Sequence, residues 1–260
     1  MCAVCARLSP ALAAMPPITI TPQDLLPFGQ RWTALAGRLS RTPPHSSSQL
    51  GALIDRAVAT SLATMLGGIP VVVPNGRALV PAQANSVEQG PVLLIVGVRP
   101  QTFDVGYRPD GVRFAYDSKT LNDTKSVQKN YQNMINDLAT EATTVHLRFP
   151  YAVVAFIVAI PQPCLMPVQS AALIGTLERL TNRRSVDEPN QLAEAISLVV
   201  WNPVNGEIVQ DIPAQTSPLR LSKFAQQVED RYVSRYKGLP PHAGIGDEAQ
   251  EADEEQPGEG

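Results

Sequence analysis

Three side chains, Asp104, Asp117 and Lys119, have the types and spacing to hold a divalent cation and to orient a water. They lie in two short alternating runs that flank Arg108-Pro109-Asp110-Gly111. Proline presets φ and glycine accepts the positive φ that follows, so the stretch reads as a β-hairpin. Side chains alternate along a strand, which puts Asp117 and Lys119 on one side of the second strand. A further carboxylate on the neighbouring strand completes a set of oxygen donors suited to Mg2+, beside an ammonium. The plain counterpart is an exposed hairpin face with a salt bridge, worth ~0–1 kcal/mol. Register separates the two. A two-residue turn at Pro109-Asp110 sets Asp104 opposite Ala115, on the face of Asp117 and Lys119. A one-residue bulge at Gly111 sets it opposite Tyr116, on the other face. Asp110 is read as a turn residue, because it leaves no room for two strands before Asp117.

The elements around the hairpin are legible as hydrophobic periodicity. A short helix is expected over 25–39, with Trp32, Leu35 and Leu39 at helical spacing, and the Pro- and Ser-rich 41–48 forms a loop. Ser48 is expected to cap a helix over 49–66, whose stripe runs through Leu50, Ile54, Ala57, Val58, Leu62 and Met65. An edge strand is expected at 69–73 and a buried strand at 92–98. After the hairpin, 123–148 repeats apolar residues at steps of three and four (Val127, Tyr131, Met134, Leu138, Ala142, Val145) and predicts the longest helix. Residues 152–160 are almost wholly apolar, the pattern of a strand buried on both faces after a helical crossover. Helices over 169–181 and 190–195, a strand at 196–201 and a last helix over 218–236 complete one mixed α/β sheet with helices on its faces. Three regions follow: an N-terminal extension and helical arm (1–48), an α/β domain (49–240) and a disordered acidic tail (241–260).

Overall charge hides a local imbalance. The chain carries 21 Lys and Arg against 24 Asp and Glu, but seven of those acids fall in 246–260, leaving 21 basic against 17 acidic. A mildly basic body is compatible with a nucleic-acid partner. Cys2, Cys5 and Cys164 cannot make a disulfide framework, and Cys2-x-x-Cys5 is half a zinc knuckle with nothing to complete it. The first fourteen residues lack the basic and apolar regions of a signal peptide, and organised sequence begins near Met15. No apolar run is long enough to span a membrane, so a reducing cytoplasm is the expected compartment. His45, His146 and His242 are scattered, and neither a Gly-x-Ser-x-Gly nor a phosphate-cradling Gly-rich loop is present.

Asp104, the Asp117-Ser118-Lys119 element and their strand–turn–strand–helix–strand setting resemble the PD-(D/E)xK nuclease superfamily, most closely its type II restriction endonucleases. The resemblance covers about residues 49–160. It implies a restriction-endonuclease-like core of helix, three-strand meander, crossover helix and fourth strand. It further implies Mg2+ held by Asp104, Asp117 and the Ser118 main-chain carbonyl, with Lys119 orienting the attacking water. Asp55 sits where several members place an additional acid, and Glu88 is a lesser candidate. Lys125, Lys129 and Asn130 on the polar face of the long helix, with Asn182, Arg183 and Arg184 in the loop 182–190, are candidate DNA contacts. The chain departs from the pattern at Phe103, where many members carry proline. Gln128 and Tyr131 are three apart, not four, which disfavours the exonuclease-like branch. The expected activity is hydrolysis of double-stranded DNA at a specific sequence by a homodimer. A structure-selective repair or mobile-element nuclease, and a non-catalytic nucleic-acid-binding protein, are the alternatives.

Overall fold

The computed structural model describes residues 11–76, 78–165 and 167–242. The acidic run 246–260, Cys2 and Cys5 lie outside the described residues. Six strands form one sheet in sequential order: β1 (Val71–Val72), β2 (Val87–Ile95), β3 (Pro100–Tyr107), β4 (Phe114–Thr120), β5 (Val153–Pro161) and β6 (Ala195–Trp201). The pairs β2–β3 and β3–β4 are antiparallel, whereas β4–β5, β5–β6 and β1–β2 are parallel. Parallel neighbours need a crossover. Here α3 (Val127–Arg148) joins β4 to β5 and α4 (Pro167–Leu180) joins β5 to β6. The architecture is α/β, a mixed sheet flanked by helices.

Helix α2 (Ser47–Met65) packs on the even-numbered side chains of β4. Ser47 Oγ lies 2.9 Å from Thr120 Oγ1, and a Cβ placed on Gly51 would stand 3.0 Å from Ser118 Oγ. Helix α5 (Leu221–Tyr236) shares that face, with Phe224 set edge-on to Tyr116. Helix α3 covers the other face, where its Glu141 meets Lys119. Strand β5 is buried along its whole length, as a strand covered on both faces must be.

Several expectations change. Ser46, not Ser48, caps α2, through a capping box in which Gln49 N donates to Ser46 Oγ and Ser46 N to Gln49 Oε1. Strand β2 begins five residues before the predicted start. Its ladder to β3 slips between Gln89 and Val92, and that irregularity accommodates Gly90-Pro91. No helix forms at 190–195; Leu192 N closes a turn on Pro189 O and Ala193 N bonds Leu180 O, leading straight into β6. The N-terminal arm is no separate unit. Met15, Ile18, Leu25, Phe28 and Trp32, the last three on α1 (Pro22–Ala34), are buried in the common core. Trp32 Nε1 donates to Asn122 O at 2.9 Å, and Gly29 packs so closely on Pro203 that a Cβ would meet its carbonyl oxygen at 1.9 Å. At the other boundary His242 is buried and bonded to Tyr232 Oη, so the folded body runs past residue 240. None of the described helices is long and apolar enough to cross a membrane.

Candidate functional site

The hairpin is longer at its turn than the sequence suggests and open at its other end. Residues 108–113 form a six-residue loop closed by Arg113 N to Tyr107 O at 2.9 Å, with Gly111 at φ +132°. Both flanking arginines leave the sheet. Arg108 enters a buried bidentate pair with Glu88, Nε to Oε2 at 2.6 Å and Nη2 to Oε1 at 3.0 Å. Arg113 grips Asp110, confirming Asp110 as a loop residue. Strands β3 and β4 pair as Tyr107 with Phe114, Gly106 with Ala115 and Val105 with Tyr116. Continued one step, that register sets Asp104 against Asp117, which is neither of the two expected pairings but has the parity of the first.

The ladder stops at Val105 and Tyr116, and the strands part. Odd-numbered residues of β4 bond to β5: Val153 N donates to Arg113 O and Leu121 N to Ala159 O. Even-numbered residues therefore turn N–H and C=O toward β3. For Ser118 the β3 partner is the Asp104 carboxylate, whose Oδ2 accepts from Ser118 N at 3.0 Å and from Ser118 Oγ at 3.1 Å. The Ser118 carbonyl projects toward the same gap.

A cavity of about 510 Å³ opens there, lined by Arg41, Ser47, Ser48, Gly51, Asp55, Asp104, Asp117, Ser118, Lys119 and Thr120. All five residues named for the metal and the chemistry, Asp55, Asp104, Asp117, Ser118 and Lys119, line it. The electrostatics are strained in a consistent direction. Burial pushes the Asp55 carboxyl up to about 8, the Asp104 charge adds to this, and the Ser118 hydroxyl opposes it. One Asp55 oxygen, Oδ1, is buried with no hydrogen-bond partner. Asp117 is pushed up to about 9, first by burial and then by the adjoining Asp104 carboxyl, against the pull of Lys119. Burial would lower the Lys119 pKa, but Asp117 and Glu141 outweigh it and hold the ammonium firmly protonated. Lys119 Nζ donates to Asp117 Oδ2 and, at 2.8 Å, to Glu141 Oε1.

Among the described residues no three His, Cys, Asp or Glu side chains are gathered as a metal cluster. The donors here are oxygens of two strands and one helix instead: the carboxylates of Asp104 and Asp117, the Ser118 carbonyl and the unpartnered oxygen of Asp55. Hard oxygen donors in small number suit Mg2+, which keeps much of its water shell.

The candidate DNA contacts divide. Lys125, Lys129 and Asn130 are exposed at the start of α3, the segment that leaves β4 beside the cavity. The loop 182–190 lies beyond the N-terminal ends of β5 and β6, whereas the cavity lies toward the C-terminal end of β4. Arg183 is wholly buried and donates to Glu194 Oε1 and to the carbonyls of Pro150 and Val186, so it cannot serve as a DNA contact. Asn182 accepts from Arg231, and Arg184 is exposed but far along the sheet from the cavity. Glu88 does not serve as an additional acid either, because it is buried and held by Arg108.

Two charged residues of the site and its surroundings escaped the sequence. Glu141 had a signal: it falls on the core-facing stripe of α3, three residues after Leu138 and four before Val145, where an acid needs a partner. Arg41, in a Pro- and Ser-rich loop, had none. No protein-family model, curated protein or solved structure matches the chain.

Proposed function

We propose that this protein is a Mg2+-dependent endonuclease that hydrolyses phosphodiester bonds of double-stranded DNA at a specific sequence, in the manner of type II restriction enzymes. One observation carries the reading: Asp104, Asp117 and Lys119, from two strands, share a solvent-accessible cavity with Asp55 and with the main chain of Ser118. Asp104, Asp117 and the Ser118 carbonyl would hold Mg2+, and Asp55 would satisfy its free oxygen through a bound water. A bound Mg2+ lowers the pKa of its water and neutralises charge on the scissile phosphate. The chain's own groups do the rest. Lys119, kept cationic by Asp117 and Glu141, orients the attacking water and stabilises charge that develops at the phosphate. Lys125, Lys129 and Asn130 follow the DNA backbone, which positions the duplex without reading its sequence. A homodimer would place one such centre on each strand of a palindromic site.

The test is incubation of purified protein with phage DNA and Mg2+, resolved on a gel. Defined bands that vanish with EDTA are expected. Asp117→Ala and Lys119→Ala should each cut at least ~100-fold more slowly while keeping the wild-type circular dichroism spectrum. Smearing would indicate a nuclease without sequence choice. Cleavage undiminished in both variants, or none by the wild type, would remove the proposal.

A further inference from the structure

We propose that Arg41 grips a backbone phosphate of the DNA at the mouth of the cavity, a role that rests on the nuclease reading of the same site. The argument begins from charge. The cavity is lined by three carboxylates, Asp55, Asp104 and Asp117, and by two cations, Lys119 and Arg41. Lys119 is already committed, with Asp117 and Glu141 both on its ammonium. Pinned between two acids at the reacting centre, it is not placed to hold a second, flanking phosphate as well. Arg41 is exposed and, among the described residues, makes no hydrogen bond or ion pair, although three acids share its cavity.

Its backbone, by contrast, is held at both ends. Leu39 is buried before it and Ser46 is fully buried after it. Ser47 N donates to Ser40 O at 3.0 Å, and Thr42 N donates to Ser40 Oγ at 3.0 Å. The ring of His45 stands edge-on to Phe28 at 5.4 Å, and Asn122 Nδ2 reaches Ser47 Oγ at 2.7 Å. A tethered loop thus presents one free guanidinium at the rim of an acidic cleft. Guanidinium donors match phosphate oxygens in pairs, which a lysine at the same place would not reproduce. The ligand this arrangement fits is a phosphodiester backbone, gripped at one phosphate by Arg41 while the neighbouring phosphate would meet the carboxylates only through a bound Mg2+.

The experiment is fluorescence anisotropy of a short labelled DNA duplex in EDTA over a range of salt, beside cleavage in Mg2+. Arg41→Ala should weaken binding roughly tenfold at low salt. It should flatten the slope of log affinity against log salt by about 0.9, the loss of one phosphate contact. Arg41→Lys should keep the slope and recover only part of the affinity. Cleavage by Arg41→Ala should show a raised KM with kcat within a few-fold of wild type. Arg184→Ala, equally exposed but at the other end of the sheet, should match wild type. Arg41→Ala equal to wild type in affinity and slope would overturn the proposal while leaving the nuclease reading intact. Duplex binding that depends on Arg41 in a protein that never cleaves would do the reverse. A wild type that does not bind the duplex would sink both.

Discussion

Replacing Asp55 by asparagine should make the protein more stable at neutral and alkaline pH. In the unfolded chain this carboxyl titrates near 3.8, whereas burial beside Asp104 raises it to about 8 in the fold. Between those values the folded state binds the proton and the unfolded state does not. Stability contributed by the protonated acid is therefore fully present below about pH 4 and is lost as pH rises through about 8. At ~1.4 kcal/mol per unit, the full window is on the order of 6 kcal/mol, an upper bound that relaxation and water entry cut to ~2 kcal/mol. Asparagine keeps the shape and removes the charge, so Asp55→Asn should gain ~2 kcal/mol near pH 8, or roughly 4–8 °C in Tm, and nothing near pH 4. Urea unfolding in EDTA at the two pH values measures the difference. A variant less stable than wild type near pH 8, or a gap that ignores pH, would refute the reasoning. Adding Mg2+ should narrow the gap, because only the wild type keeps every oxygen donor.

Two further outcomes follow from buried ionic groups elsewhere. Glu88→Ala strands the Arg108 guanidinium, at 7% exposure, and should cost ~3–5 kcal/mol by denaturant unfolding. Replacing Arg108 by methionine as well should restore much of it, and a loss unchanged in the double variant would contradict the pairing. His242, buried against Tyr232, is held neutral with its pKa lowered from 6.5 to about 4, mainly by burial and then by Arg113. Its share of stability is present above about pH 6.5 and disappears as pH falls through about 4, a loss of at most ~3 kcal/mol. His242→Gln should therefore lose less stability than wild type between those values. Parallel acid unfolding curves for the two proteins would rule this out.

What the sequence could show was local. The spacing of Asp117 and Lys119 put both on one side of β4 because alternation in a strand needs no tertiary information. The apolar stripe of α3 and the unbroken run of β5 announced their burial in the same way. Whatever depended on a distant partner was hidden. Pro109-Asp110-Gly111 looked like a tight turn, but the loop spans six residues, with Arg108 turned to the distant Glu88 and Arg113 to Asp110. Asn182-Arg183-Arg184 looked like a solvent-facing basic patch. Only the fold brings Glu194, bonded also by His146 and Arg235, under Arg183. The arm before residue 48 seemed detachable because its apolar residues find their partners on α2 and near residue 203, far along the chain.

The parting of β3 and β4 has one more consequence. Asp104 is moored to a main-chain amide, a donor that no substitution at Ser118 except proline removes. The gauge of the cleft is thus written into the backbone of the fork, while the loop at the closed end of the hairpin carries none of it. Mutations can rework that loop, and with it whatever the far end of the hairpin touches, without moving the jaws where the acids meet.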